Sequence, residues 1–168
     1  MTPAQAFIGL GSNLGDAAAT LRSAVACLRK LPGSRVTGLS SLYRSTPLGP
    51  PGQDDYLNAV ARLETVLTPH SLLQALHIIE DRHGRVRQQR WGARTLDLDL
   101  LLYGNDVITS PDLTLPHPEM LNRNFVLIPL LDIAPDQALP DGRRVREAST
   151  ASDRSGLSEL YTGPSWSN

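Results

Sequence analysis

Two aspartates, Asp97 and Asp99, stand two positions apart in a run of leucines. Side chains two apart on a β-strand point to the same face, so the carboxylates should project together while Leu96, Leu98 and Leu100 enter the core. Adjacent carboxylates repel unless a cation lies between them, and hard oxygen ligands suit Mg²⁺ completed by water and substrate phosphates. Taken alone, such a pair is more often two aspartates on a solvated strand face.

Four arginines precede the aspartates within one short stretch: Arg85, Arg87, Arg90 and Arg94. Guanidinium groups around metal-bound carboxylates are a common way to hold a polyphosphate and to stabilise the charge that moves during its transfer. The alternatives are a solvated basic loop or a nucleic-acid patch. We favour polyphosphate binding, because the basic cluster leads directly into the acidic pair.

Three aromatic residues, Tyr56, Trp91 and Phe125, fall in loops or at strand ends near these polar stretches. Each alone would usually be a core residue, but Trp91 lies inside the arginine cluster. Flat rings together with one amide, Asn58, are what a flat heteroaromatic ligand needs, since rings stack on its faces and the amide pairs with its edge. The sequence therefore favours a second, aromatic ligand beside the polyphosphate.

Two other motifs leave alternatives open. His117, held between two prolines, would either bond a phosphate oxygen or serve as a structural turn residue. The glycines of residues 9–15 have neither the Lys-Ser/Thr ending of a P-loop nor G-x-G-x-x-G spacing. We interpret them as a strand-to-helix turn, capped by Ser12 or Asn13, where the backbone can approach a ligand closely.

Composition excludes several classes of protein. The 168 residues fit one compact domain, and a net charge of −1 gives no general attraction to nucleic acid or membrane. The single cysteine, Cys27, excludes a disulfide framework and a cysteine metal site. The first residues contain neither a basic region nor a long apolar run, so we expect no signal peptide and no membrane span. A cytoplasmic location and a monomeric state are the default expectations.

The elements that must position these residues follow from hydrophobic periodicity. Strands are predicted over 6–10, 35–43, 56–65 and 96–103, with a helix after the first and another, starting at Thr68 and Pro69, after the third. A third helix is predicted over 125–133, small strands over 107–115, and loops over 44–55 and 83–95. The order indicates a ferredoxin-like βαββαβ core, an α+β fold with helices on one face of an antiparallel sheet and site loops on the other.

These residues resemble the 6-hydroxymethyl-7,8-dihydropterin pyrophosphokinase family. The most specific match is the run Arg-Trp-Gly-Ala-Arg-Thr-Leu-Asp-Leu-Asp at residues 90–99. Further matches occur in family order, from near the start of the chain to about residue 145: residues 11–15, 41–49, 56–59, 84–87, 115–118 and 122–125. We therefore expect residues 1–145 to form the pyrophosphokinase domain and residues 146–168 to form a polar, loosely packed tail.

The resemblance implies a ferredoxin-like fold and the transfer of pyrophosphate from ATP to the pterin hydroxymethyl group, giving AMP and the pterin diphosphate in folate biosynthesis. It implies that Asp97 and Asp99 bind two Mg²⁺ ions and that Arg85 and Arg94 act on the phosphates. The implied ATP contacts are Leu73, Glu80, Arg87, Trp91, Leu100, Thr114, His117 and Arg123. The implied pterin contacts are Ser45, Thr46, Leu48, Tyr56, Asn58, Trp91 and Phe125.

Two other function classes fit the sequence less well. A nucleotidyltransferase also combines a Gly-Ser turn with Asp-x-Asp, but close together, whereas Ser12 and Asp97 lie in different halves of this chain. A ferredoxin-like domain can bind RNA through aromatic side chains on its sheet, but this chain lacks the basic-Gly-aromatic strand motif and is not basic overall.

Overall fold

The computed structural model describes residues 2–46, 52, 54–84 and 95–168. The strands found there are β1 (Ala4–Ser12), β2 (Ser34–Leu39), β3 (Leu42–Ser45), β4 (Tyr56–Thr65), β5 (Asp97–Tyr103), β6 (Ile108–Thr109), β7 (Thr114–Leu115) and β8 (Leu157–Tyr161). The helices are α1 (Ala17–Arg29), α2 (Pro69–Arg82) and α3 (Asn124–Ile133).

One antiparallel sheet holds most of these strands. Its strand order is β5-β1-β4-β3-β8. β2 and β3 both pair with the same edge of β4, β3 with its first residues and β2 with its last. β6 and β7 form a separate two-stranded sheet. If β2 and β3 are taken as one interrupted strand, the order from β1 to β5 is the predicted βαββαβ core. The sheet thereby brings the ends of β1, β4 and β5 side by side.

The single strand predicted over residues 35–43 is wrong, because β2 ends at Leu39 and β3 begins at Leu42. The Ser40 hydroxyl accepts a hydrogen bond from the Val60 amide at 2.9 Å and donates one to the Ser41 carbonyl at 2.8 Å. A serine side chain that bonds to nearby backbone in this way competes with the regular ladder. The strand is therefore interrupted at this serine pair.

The start of helix α1 also differs from the prediction. The N-cap is Asp16, whose carboxylate accepts a hydrogen bond from the Ala19 amide at 3.0 Å. Ser12 and Asn13, which were predicted as caps, are buried and bond elsewhere. The motif after β1 therefore has a task other than starting the helix.

Helix α2 begins as predicted, with Thr68 as the N-cap and Pro69 in the first turn. The Thr68 hydroxyl accepts a hydrogen bond from the Ser71 amide at 3.2 Å. At 14 residues α2 is the longest helix in the described part of the chain, and no helix there is long and apolar enough to cross a membrane.

Two hydrophobic cores lie on the two faces of the sheet. On one face α1 and α2 bury residues such as Leu21 and Leu76 against Ile8 of β1, as the predicted arrangement requires. On the other face α3 buries Leu127 and its neighbours against Phe7. The site residues therefore share their face with a third helix, which the βαββαβ pattern alone did not place.

The expectation that the C-terminal tail is loosely packed is wrong. β8 extends the sheet by pairing with β3, and Trp166 is only 6% exposed. The Trp166 indole nitrogen donates a hydrogen bond to the Ser40 carbonyl at 2.8 Å. The tail gave no strand pattern because β8 is an edge strand that remains largely exposed. The division of the chain at residue 145 stays a prediction.

Candidate active site

Three neighbouring strands bring the predicted pterin and metal residues to one level of the sheet. Gly11 of β1 pairs with Asn58 of β4 on one side and with Asp97 of β5 on the other. Directly paired residues of antiparallel strands place their side chains on the same face. Asn58 and Asp97 therefore flank Gly11, two strand spacings or roughly 10 Å apart.

The predicted separation of the two aspartates from the neighbouring leucines is confirmed. Leu98 and Leu100 are buried in the core beneath α1 and α2, whereas Asp97 and Asp99 are half-exposed on the opposite face. The Asp99 Oδ2 atom lies 3.9 Å from the Arg123 guanidinium, and their side chains are 42% and 35% exposed. Because so exposed an ion pair is weak, it leaves the Asp99 carboxylate accessible to a cation.

Two glycines of β1, Gly9 and Gly11, lie between the Asn58 side and the aspartate side of the site; we call them the floor. A Cβ at Gly11 would lie 3.3 Å from the Asn58 side-chain nitrogen, and a Cβ at Gly9 would lie 3.6 Å from the Leu101 side chain. Gly9 pairs with Asp99 as Gly11 pairs with Asp97. The absence of side chains at these positions lets the Asn58 and Leu101 side chains lie close above β1, and Gly11 itself is buried. The close approach of a ligand to this backbone stays a prediction.

The Asn58 amide is held in a defined orientation. The Ser45 hydroxyl donates a hydrogen bond to the Asn58 Oδ1 atom at 2.6 Å, and Asn58 is only 7% exposed. With its oxygen bonded to Ser45, the amide turns its nitrogen toward the Gly11 floor. A buried polar group fixed in this way is suited to recognise the polar edge of a ligand.

Two of the aromatic residues predicted for the pterin, Tyr56 and Phe125, lie in the described part of the chain. Tyr56 begins β4 and pairs with Ser45, so it is adjacent to Asn58 in the sheet. Phe125 lies in the first turn of α3, with the Arg123 guanidinium carbon 5.9 Å from its ring centroid. That distance is within the range of a cation–π contact, which places Phe125 beside the group that pairs with Asp99.

A cleft of ≈ 300 Å³ opens next to the acidic pair. Its lining includes Asp99 and these residues predicted to contact ATP: Leu73, Glu80, Leu100, Thr114 and His117. Sequence reasoning assigned no ligand contact to the other lining residues: His77, Leu98, Pro111, Asp112, Leu113 and Pro118. The cleft combines leucine side chains with several polar groups and a carboxylate, so it can hold a small polar molecule.

Glu80 connects helix α2 to the strand that carries the aspartates. Its carboxylate accepts a hydrogen bond from the Leu98 amide at 2.9 Å, and the residue is 2% exposed. Leu98 lies between Asp97 and Asp99, so this bond fixes the backbone at the acidic pair. Glu80 is thus part of the cleft wall and also a support for the carboxylates.

His117 lines the cleft as a neutral ring. The Glu119 amide donates a hydrogen bond to His117 Nδ1 at 3.1 Å, so the neutral ring carries its proton on Nε2. Burial lowers the pKa of His117 below its ordinary value of 6.5; Asp99 opposes that shift and Arg123 adds to it. At neutral pH the ring is therefore available as a hydrogen-bond donor through Nε2.

Ser12 and Asn13 join the stems of two loops to the end of β1. The Ser12 hydroxyl donates a hydrogen bond to the Thr95 carbonyl at 2.5 Å, two residues before Asp97. The Asn13 amide donates one to the Asp54 carbonyl at 3.3 Å. Both serine and asparagine are almost fully buried. Their bonds therefore define where β4 and β5 enter the site.

The donor set fits a hard divalent cation. Among the described residues no group of three or more His, Cys, Asp or Glu side chains is placed to hold a metal. Asp97 and Asp99 would thus leave most coordination positions to water and to substrate phosphates, which is the arrangement that Mg²⁺ prefers. Both aspartates are half-exposed, and Asp99 lines the cleft.

Some predicted site residues fall outside the described parts of the chain: Leu48, Arg85, Arg87, Trp91 and Arg94. Their roles stay predictions. The predicted residues that the structure describes come together on one face of the sheet or in the adjoining cleft, with Thr46 following β3. The Ser45 and Glu80 hydrogen bonds were not foreseen, since both depend on partners from distant segments of the chain.

Known proteins resemble much of this sequence. The sequence model of the 7,8-dihydro-6-hydroxymethylpterin-pyrophosphokinase (HPPK) family matches residues 7–135. The chain is similar to 2-amino-4-hydroxy-6-hydroxymethyldihydropteridine pyrophosphokinase of Haemophilus influenzae, with 49% identity over 142 residues, 84% of this chain and 89% of the relative. The Pseudomonas aeruginosa protein of the same name is 46% identical over 154 residues, covering 92% and 95% of the two chains.

Solved structures show the same fold. A Plasmodium falciparum HPPK-DHPS triple mutant with pteroate superposes with a TM-score of 0.70 at 13% identity, covering 95% of this chain and 47% of that one. The wild-type protein gives a TM-score of 0.67 at 14% identity, covering 86% and 44%. This chain thus spans about half the length of those proteins, and at such identity the likeness concerns the ferredoxin-like fold alone. The family and the curated relatives decide the assignment: this chain belongs to the 7,8-dihydro-6-hydroxymethylpterin-pyrophosphokinase family.

Proposed function

We propose that this chain carries out the reaction of its family between two half-sites that meet at Gly11. The reaction is the transfer of pyrophosphate from ATP to 6-hydroxymethyl-7,8-dihydropterin in folate biosynthesis, so the chain is an ATP-dependent pyrophosphokinase. The proposal concerns the residues that perform it. The observation that carries it is the pairing of Gly11 with Asn58 on one side and Asp97 on the other.

The pterin half-site is centred on Asn58. Its amide, oriented by Ser45, would pair with the donor and acceptor edge of the pterin, while Tyr56 and Phe125 would pack on the flat ring. The Ser45 and Thr46 backbone would add contacts at the end of β3. The hydroxymethyl group would extend from Asn58 toward Asp97, which pairs with Gly11 from the other side.

The ATP half-site is the cleft beside Asp99. Leu73, Leu100 and Thr114, which line the cleft, would contact the adenosine. His117 would donate a hydrogen bond to a phosphate oxygen through Nε2, and Arg123 would add positive charge near Asp99. The triphosphate would then run out of the cleft toward the acidic pair.

The chain's part in the chemistry is to align and to stabilise. It would hold the hydroxymethyl oxygen in line with the β-phosphorus, so that AMP is the leaving group. Two Mg²⁺ ions, when bound at Asp97 and Asp99, would neutralise phosphate charge during the transfer. Arg85 and Arg94 would act on the same phosphates. The monomeric state expected from the sequence stays a prediction.

Separate measurement of the two substrates tests this division. Asn58→Ala leaves the Ser45 hydroxyl without its acceptor and removes the pterin amide contact, so the pterin KM should rise about tenfold or more. The ATP KM should stay within about twofold. Asn105→Ala, at an exposed turn, is the matched control and should change neither constant. Equal losses for both substrates in Asn58→Ala would refute the assignment.

A further inference from the structure

The C-terminal strand lies against the strand that carries the predicted pterin contacts. β8 pairs with β3 along its length, and its first residue, Leu157, lies opposite Ser45. Ser45 also donates the hydrogen bond that orients Asn58. β8 lies beyond residues 7–135, which the family model matches. A segment outside that match therefore supports the strand that holds the Asn58 amide in place.

The turn that precedes β8 bonds to the backbone at the end of β3. The Thr46 amide donates a hydrogen bond to the Gly156 carbonyl at 3.0 Å, and the Thr46 hydroxyl reaches the same carbonyl at 3.5 Å. Gly156 has a φ of +67°, a conformation that glycine adopts without the strain a side chain would bring. The position of Thr46 thus depends on this turn.

The same turn also bonds to the opposite wall of the pocket. The Asn124 side-chain amide donates hydrogen bonds to the Asp153 carbonyl at 2.8 Å and to the Ser155 carbonyl at 2.9 Å. Asn124 is the first residue of α3 and immediately precedes Phe125, which we propose as a ring that packs on the pterin. Residues 153–156 therefore contact both the Phe125 side and the Thr46 side of the pocket.

The far end of β8 is held at a separate place. The Gly163 amide donates a hydrogen bond to the Ser41 hydroxyl at 2.9 Å, and Trp166 bonds the Ser40 carbonyl. These contacts lie at the opposite end of β3 from Thr46. The two ends of β8 can therefore be tested independently.

We propose that the turn at residues 153–156 is a positioning element of the pterin pocket. By bonding Asn124 on one wall and Thr46 on the other, it fixes the separation of Phe125 from the end of β3. Pterin binding therefore depends on the C-terminal segment, whereas ATP binding does not. This inference rests on the proposed pterin half-site.

Matched glycine substitutions test the proposal in the full-length chain. Gly156→Ala places a Cβ 3.4 Å from the Thr46 hydroxyl oxygen, in a backbone conformation of positive φ. Gly163→Ala meets a similar φ of +75° at the far end of β8, with nothing within 4 Å of its Cβ. Gly163 also has a ψ of −179°, a combination that essentially only glycine adopts, so Gly163→Ala should lose at least as much stability as Gly156→Ala. Only Gly156→Ala should nevertheless raise the pterin KM, by at least about threefold, with the ATP KM within about twofold.

A second variant examines the other wall. Asn124→Asp keeps the shape of the side chain but replaces its donor nitrogen with an acceptor, so both bonds to the turn are lost. The pterin KM should again rise at least about threefold, without a matching change in the ATP KM. Tm and circular dichroism identify a variant that has failed to fold.

The outcomes separate this inference from the pocket itself. If Asn58→Ala raises the pterin KM selectively while Gly156→Ala and Asn124→Asp do not, the positioning role is overturned and the pocket stands. An equal rise in Gly156→Ala and Gly163→Ala also overturns it, because general loosening of β8 would then explain the effect. If Asn58→Ala shows no selectivity, the proposed pterin pocket is itself wrong.

Discussion

Asn58 and Asp97 pair with the same residue, Gly11, from opposite sides of β1. One is a buried amide oriented by Ser45, and the other is a half-exposed carboxylate next to the proposed nucleotide cleft. The register of three strands therefore sets the distance between the proposed pterin site and the proposed metal site. Changes at Asn58, Asp97 and Gly11 should accordingly have different kinetic signatures.

Removal of one carboxylate should abolish turnover without unfolding the protein. Asp97→Asn and Asp99→Asn each keep the side-chain shape but lose the charge that would hold Mg²⁺, so kcat should fall by more than about 100-fold. The Tm should change little, because both residues are half-exposed. Asp106→Asn, at an exposed turn, is the control. Turnover that survives within a few-fold, in a Mg²⁺ titration up to saturation, would reject the metal role.

The two floor glycines should respond differently to alanine. Gly11→Ala puts a Cβ 3.3 Å from the Asn58 nitrogen, so the amide must shift and the pterin KM should rise about tenfold. Gly9→Ala puts its Cβ at an ordinary 3.6 Å from Leu101, and its pterin KM should stay within about twofold. Neither glycine has a positive φ, so stability should not fall sharply. A pterin KM that changes equally in both variants would contradict the proposed floor.

Ser12 and Asn13 should affect opposite halves of the site. Ser12→Ala removes the bond to the Thr95 carbonyl, so the Mg²⁺ concentration for half-maximal activity should rise about 3–10-fold. Asn13→Ala removes the bond to the Asp54 carbonyl near Tyr56, so the pterin KM should rise by a similar factor. Metal and pterin titrations of both variants check this division. Identical profiles would mean that the motif supports the fold in general and neither half in particular.

The stability of the ligand-free protein should fall in mild acid because of His117. Burial holds the pKa of His117 below 6.5, so the unfolded chain takes up the proton first as the pH falls. Neutral His117 makes its full contribution to the free energy of unfolding above pH 6.5. That contribution decreases as the pH falls toward the lower pKa of the folded state. Between pH 7.5 and pH 5.5, the free energy of unfolding measured in urea should fall less for His117→Gln than for the unchanged chain. An equal loss would show that other groups cause it.

Most strands and helices of the core could be predicted from the sequence, because its period-two and helical patterns are strong. The alternation of Asp97 and Asp99 with leucines predicted both the strand and the face of each side chain, and the Thr68-Pro69 pair predicted the start of α2. The interruption at Ser40 was missed, since a hydroxyl that takes a ladder hydrogen bond leaves no periodic pattern. The edge strand β8 was missed because most of its residues are exposed and mixed in polarity.

The site was harder to predict than the fold for a physical reason. Residue types identified Asn58 and Asp97, but only the strand register places both next to Gly11. The hydrogen bonds from Ser45 and to Glu80 join segments far apart in sequence, so no local pattern reveals them. Resemblance to a family predicts the roles of individual residues. The orientation of an amide or of a buried carboxylate can be known only from the assembled sheet.

The most direct test is a crystal structure with Mg²⁺, an unreactive ATP analogue and the pterin bound together. We expect metal coordinated by both Asp97 and Asp99, the pterin edge bonded to Asn58, and the hydroxymethyl oxygen and the β-phosphorus above Gly11. A triphosphate bound away from the two aspartates, or a pterin bound away from Asn58, would contradict the account.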